Sequence, residues 1–228
     1  MRHYPAAYLE VPGYLAPAKP LPSPDEMAAA EEIRRPFISP GEPMPYMVDV
    51  VRAFRLLRGK ERYVEIGTFD KGCLAYVASL LSSAATIVDV DLEANPTGSE
   101  RLRQRLQPPQ RLVSIVGDST SPAVCEQVEA ALPEGLADCV FIDGNHAAPY
   151  CWADFCNYSP LVAPGGFMFF HDVYWQGAAE CFGVSQAAEW IDRAYPLHVV
   201  FADHPLHRFF PWLVKDAGVW GGVGIVRL

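Results

Sequence analysis

The chain has 228 residues, half of them hydrophobic, and carries a formal charge of −9 with a pI near 5.1. That length and apolar content allow one substantial core, and one main domain is the expected organisation. The acidity excludes a basic nucleic-acid face, no run approaches 18 apolar residues, and the N-terminus lacks a charged segment leading into an apolar one, so a cytoplasmic protein outside any membrane is expected.

Residues 1–45 hold ten of the 21 prolines, a density that blocks long helices and favours extended chain. The same stretch carries Tyr4, Tyr8, Leu9, Tyr14, Leu15 and Phe37, too much apolar surface for a linker. An arm is expected that packs on its own body or on a second copy of the chain, with a short helix over 24–35 capped by Ser23. Residues 46–228 form the main domain. There, Met47–Leu57 repeats apolar residues with helical spacing, Arg62–Ile66 reads as a first strand, and Cys73–Leu81 as an apolar helix. A second strand follows at Ala85–Asp91, a polar helix at Ser99–Leu106, a third strand at Leu112–Val116 and a helix at Val124–Leu132. The fourth strand, Cys139–Ile142, leads to a helix over 149–161 and a fifth strand, Gly166–Phe170. Leu197–Phe201 and Gly222–Arg227 close the set. Alternating strands and helices imply an α/β, Rossmann-like fold, a mostly parallel seven-stranded sheet with helices on both faces.

Acids recur where these strands end. Runs such as Cys139–Ile142 and Phe167–Phe170 are too apolar to hold a carboxylate, so Asp143 and Asp172 sit where the strands emerge, at the carboxyl edge that binds ligands in open α/β sheets. If the two strands are neighbours, His146 and His171 converge with them. Asp143 could instead cap the next helix, and His146 could be a surface loop residue. Glu65, Gly67, Thr68 and Gly72 bound the loop after the first strand, whose glycines let a ligand approach the backbone beside a helix N-terminus. A second glycine of a dinucleotide fingerprint is missing, since Phe69 stands in its place. Asp91 ends the second strand, placed to accept ribose hydroxyls, and is preferred over Asp89 for that role. Asp118 and Ser119 end the third, placed for a base amino group. Successive strand ends of this composition point to a nucleoside.

The six cysteines include no C-x-x-C pair and are expected as buried, reduced thiols. His204-Pro-Leu-His207 reads as loop, Asp154 as structural. Trp152 and Trp175 read as core, with a substrate pocket as the alternative.

Val64-Glu65-Ile66-Gly67-Thr68, Val88-Asp89-Val90-Asp91, Val116-Gly117-Asp118-Ser119, Ile142-Asp143-Gly144-Asn145-His146 and Pro164-Gly165-Gly166 followed by His171-Asp172 resemble class I S-adenosylmethionine-dependent methyltransferases. The likeness is to the metal-dependent sugar and macrolide O-methyltransferases and cephalosporin-hydroxylase-like proteins, over about 45–228, with Tyr150, Asp154 and Leu161 in its most specific run. The resemblance implies that the first-strand loop holds the methionine end of S-adenosylmethionine and Asp91 its ribose. It also implies a divalent metal, Mg²⁺ or Mn²⁺, between Asp143 and Asp172, with His146 as general base. Two departures stand out. Lys71 and Asp70 occupy a loop where small residues are common. His171 stands where some members have an acid, and as a ligand it would favour imidazole-tolerant metals. The implied activity is O-methylation of a small hydroxylated acceptor, such as a sugar or other natural-product unit. Metal-independent transfer and a non-catalytic cofactor-binding scaffold are the alternatives.

Overall fold

A computed structural model describes residues 13–18, 20–39, 48–173, 183–200 and 222–228. Met47, Trp175, Cys181, Phe201, the histidines at 204 and 207, and the arm residues before 13 lie outside them. Seven strands form one sheet: β1 (Arg62–Ile66), β2 (Thr86–Asp91), β3 (Arg111–Val116), β4 (Ala137–Ile142), β5 (Val162–Phe170), β6 (His198–Val200) and β7 (Val223–Arg227), in the order β3-β2-β1-β4-β5-β7-β6. The four pairs from β3 to β5 are parallel, and β7 runs antiparallel to both β5 and β6. The order reverses direction between β1 and β4, the switch point where the crevice of an open sheet forms.

Side chains alternate across the strands and load both faces. Tyr63, Ile87, Cys139, Phe141, Phe167 and Phe169 belong to one core, under helices α1 (Pro24–Arg34), α2 (Val48–Phe54) and α3 (Gly72–Leu80). Val64, Val88, Val140, Met168 and Phe170 belong to the other, with α5 (Pro122–Ala131), α6 (Ala148–Tyr158) and α7 (Val184–Asp192). The remaining helix, α4 (Pro96–Arg103), follows β2 and is capped by Asn95.

Several elements differ from the sequence expectation. β5 begins at Val162, four residues early, because Ala137 on β4 pairs with it across an irregularity before the regular register at Cys139. Helix α7 was not expected, although Val184, Ala187, Ala188 and Ile191 carry helical spacing and are its buried face. Of the described cysteines only Cys139 and Cys151 are buried; Cys156 is exposed, and all five are free thiols. Trp152 packs on Phe155 and Trp190 as a core residue.

The described part of the arm folds onto its own chain. Ser23 and Glu26 form a reciprocal capping box at the start of α1, and Leu15, Ala18, Ala30 and Phe37 join the first core. Arg55, in the 3₁₀ turn after α2, binds the arm from below. Its guanidinium donates to the carbonyls of Pro17 and Pro20 and pairs with Glu26 at 2.8 Å. Several charge-assisted bonds from one partly buried group are worth more than an exposed pair. Replacing Arg55 by Ala should therefore lower stability by about 1–3 kcal/mol and expose the 13–39 region to protease. Urea unfolding together with limited proteolysis checks this, and an unchanged midpoint with an unchanged digest contradicts it.

Candidate functional site

The carboxyl edge gathers the expected residues around a cavity of about 680 Å³, within the range that holds a nucleoside-sized ligand. Gly67, Asp91, Asp118, Ser119, Asp143 and His146 line it, together with Ile66, Val90, Leu92 and Tyr150. Glu65, Thr68 and Gly72 do not. Thr68 and Gly72 are buried in the loop, and Glu65 is only 1% exposed, because it shares the inward face of β1 with Tyr63, whose hydroxyl donates to it at 2.8 Å.

The choice between the two acids of β2 has a structural basis. Asp89 points inward and forms an ion pair with Lys71, which also donates to Thr68. Lys71, the unusual residue of the loop, is thus spent inside the fold. Asp91 faces the cavity, and its Oδ2 accepts the backbone N–H groups of Thr68 at 3.0 Å and Phe69 at 2.9 Å. A carboxylate has lone pairs to spare beyond these, so Asp91 both shapes the loop and keeps acceptor capacity. Phe69 (φ 40°) and Lys71 (φ 69°) adopt left-handed backbone there, a strained conformation for side-chain-bearing residues. Asp118 lies beyond, its carboxyl held below the usual range by hydrogen bonds from Thr120.

Helix α6 supports that side of the cavity from behind. Tyr158 donates its hydroxyl to the Ser119 carbonyl and Asn157 its amide to the Thr120 carbonyl. Asp154 lies on the buried face of α6, not on a solvent face. Burial pushes its pKa up to about 6, with Ser119 beside it acting in the opposite direction.

Asp143 does not cap α6; the cap position is Ala147, without a side-chain bond. It meets His171 Nδ1 at 3.1 Å and His146 Nε2 at 3.6 Å, and His146 Nε2 lies 3.2 Å from Asp172 Oδ2. Asp172 reaches inward from a left-handed backbone (φ 52°). The ligand atoms of Asp143, His146 and Asp172 all lie within 4.8 Å of one another. His171 Nδ1 also lies 3.6 Å from Asp172 Oδ2, and its ring meets Phe141 edge-on. Two close carboxylates repel unless positive charge sits between them. Without a metal the imidazoles supply it: hydrogen bonds donated to Asp143 and Asp172 raise His146 to about 9, and against the effect of its burial Asp143 raises His171 to about 10. Asp143 itself, despite burial, is held below the usual range by those imidazoles. The two carboxylates fit a divalent ion of the Mn²⁺ or Mg²⁺ class, with His146, not the expected His171, in the group of possible ligands.

Sequence reading passed over Leu92 and Phe69. Both line the cavity, and Phe69 is 84% exposed at its mouth. The signal available was an apolar residue directly after a strand-end acid, or inside a ligand loop.

Burial raises Glu65 to about 8 from 4.5. Its neutral form is therefore the one the fold favours. The stability it contributes is full below pH 4.5 and is lost as pH rises through about 8. A Glu65→Gln variant keeps an acceptor for Tyr63 and removes this titration. Thermal melts should show the parent losing stability relative to the variant from acid toward pH 8; parallel curves contradict the assignment.

Residues 64–173 match a family model described as a methyltransferase domain. Among proteins of curated function, none matches the sequence. A Bacillus cereus O-methyltransferase in complex with SAH superposes with a TM-score of 0.58 at 18% identity, over 91% of this chain and 92% of that one. Cofactor-bound Rv0187 from MTB gives 0.56 at 17% identity, over 90% of each. MycE methyltransferase of the mycinamycin biosynthetic pathway, in complex with Mg, SAH and mycinamycin VI, gives 0.55 at 16% identity, over 86% of this chain and 53% of that one. The chain thus spans about half the length of the MycE structures. Likeness at these identities speaks for the fold alone. Residues 64–173 thus resemble a methyltransferase domain, and the seven-stranded sheet has the fold of the solved methyltransferases compared above.

Proposed function

We propose that the protein transfers the methyl group of S-adenosylmethionine to a hydroxyl of a small molecule, a sugar or other natural-product unit, assisted by a divalent metal. The observation that carries this reading is the meeting of Asp143, His146 and Asp172 within 4.8 Å, with Asp143 and His146 on the wall of the cavity. MycE, whose structure holds Mg, SAH and mycinamycin VI, lends support to the metal and to the acceptor class. On this reading residues 46–228 are the transferase domain and 1–45 an arm that covers it, with association of two copies through the arm as an open consequence. The protein would act in the cytoplasm on free small molecules, without nucleic acid or membrane.

The cofactor supplies an electrophilic methyl group, and a metal when bound lowers the pKa of an acceptor hydroxyl. The chain does the rest. Asp91 accepts hydrogen bonds from the ribose while holding the loop, and Asp118 and Ser119 face the base. Asp143 and Asp172 would hold the metal. His146, beside both acids, would accept the hydroxyl proton once a bound cation offsets the carboxylates that otherwise keep its imidazole protonated. Positioning the acceptor oxygen in line with the methyl group supplies much of the acceleration. Metal-free transfer is the second reading, favoured by the contacts of His146 and His171 with the same acids.

A chelator should abolish turnover, and Mn²⁺ or Mg²⁺ should restore it. Asp143→Asn and Asp172→Asn should remove the metal rescue while sparing SAH binding. His146→Ala should slow turnover by about 10²–10⁴-fold with both ligands still bound. Turnover is read as product mass with a panel of glycosides and catechols. Full turnover in chelator selects the metal-free reading, and no methylated product with any acceptor counts against transfer. Asp91→Ala should weaken SAH by about 1–3 kcal/mol in calorimetry; unaltered affinity contradicts the ribose contact.

A further inference from the structure

Helix α2 buries a carboxylate. An acid in the first turn of a helix normally faces water, where it complements the helix dipole at little cost. Asp49 stands in the first turn of α2 and is only 2% exposed. Burying a carboxylate is unfavourable unless its lone pairs are met. Both oxygens of Asp49 are met by backbone. Oδ1 accepts the N–H of Val50 at 2.9 Å, and Oδ2 accepts the N–H of Gly222, 173 residues away in the chain, at 2.5 Å.

Gly222 leads from there to the site. It precedes β7 with a left-handed φ of 82°, and its carbonyl accepts the N–H of Val173 at 3.4 Å. The regular pairing of β5 with β7 ends at Phe170 and Gly224, so this bond lies beyond the ladder, at the turn that carries Asp172. Val173 is 3% exposed, and a Cβ placed on Gly224 would lie 2.8 Å from its Cγ1. The turn is therefore fitted closely against β7. Asp172 is left-handed, with a φ of 52°, and 4% exposed. A side-chain-bearing residue stays in that region only where its surroundings hold it there. Toward β4 the ladder reaches the His171 N–H. Past that point the turn is tied to β7 by the bond from Val173 to Gly222, and Gly222 is tied to Asp49.

We propose that Asp49 is a positioning residue for the paired acids: by anchoring Gly222 it holds the turn after β5 and so aims the Asp172 carboxylate at His146 and Asp143. This rests on the metal reading above and extends it to a residue outside the matched span of 64–173. Asp49 is not part of the cavity wall, and it acts through two backbone hydrogen bonds.

Titration of the full chain with Mn²⁺ and with S-adenosylhomocysteine, together with a metal-free crystal structure of the variant, tests it. Asp49→Ala releases Gly222 and should weaken Mn²⁺ by about 10–100-fold in calorimetry, the usual effect of losing a group that orients a metal ligand. S-adenosylhomocysteine affinity should not change. Asp49→Asn keeps one carbonyl oxygen for the Gly222 N–H and should fall between parent and alanine variant. It carries the test, read as a loss of Mn²⁺ affinity against the parent, if the alanine variant does not fold. In the variant structure the Asp172 carboxyl should have left His146 Nε2, from which it lies 3.2 Å in the parent. Unchanged Mn²⁺ affinity, equal weakening of both ligands, or an Asp172 that keeps its φ and its place beside His146 overturns the proposal and leaves Asp49 a support of α2. A parent that binds no Mn²⁺ defeats the metal reading, and the variant structure then decides the positioning role alone: a displaced Asp172 upholds it and an unmoved one removes it.

Discussion

The site depends on how closely the ends of β1 and β4 approach. A Cβ on Gly67 would lie 2.2 Å from the Asp143 carbonyl oxygen and 2.5 Å from the Gly144 Cα. Both are far inside contact distance, so only glycine fits there. Gly67 also has a φ of 81°, a conformation that other residues adopt at a cost. The Asp143 N–H donates to the Ile66 carbonyl and the His171 N–H to the Ile142 carbonyl. The parallel ladder thus runs on past the strands proper, and it sets the ends of β1, β4 and β5 side by side. Asp143 and Asp172 meet His146 because the backbones beneath them are locked.

That closeness creates an electrostatic problem which the rest of the edge answers. Glu65, Asp89, Asp91, Asp143 and Asp172 crowd a small region. Each is handled differently: Glu65 is favoured neutral and bound by Tyr63, Asp89 is paired with Lys71, and Asp91 is clamped by loop amides. Asp143 and Asp172 face imidazoles. Asp91 and Asp143 line the cavity, whereas Glu65 and Asp89 are buried beneath it.

Much of this was legible in the residues because strand-end acids cannot be buried inside apolar strands. Cys139–Ile142 and Phe167–Phe170 could be read as central strands and their acids as site residues on that ground alone. The preference for Asp91 over Asp89 followed from position, but its cause, the Lys71 pair, needed the fold. Other features were hidden for physical reasons. Helical periodicity around Asp154 does not tell which flank of the apolar face turns inward. Asp143, His146 and His171 are too near in any reading for sequence to say how each imidazole sits against the two acids. Arg34 looks like an ordinary charge at a helix end, where cations are welcome, and only its burial, with Nε unbonded, marks it.

The central claim is that the carboxylates at the ends of β4 and β5 are held together by a cation and work through it. The most direct measurement is a crystal structure with S-adenosylhomocysteine and Mn²⁺, using anomalous scattering to find the metal. The account predicts a peak between Asp143 and Asp172, with S-adenosylhomocysteine in the cavity beside Asp91. Bound S-adenosylhomocysteine with no peak at these residues, and His146 still lodged between the two acids, would contradict it.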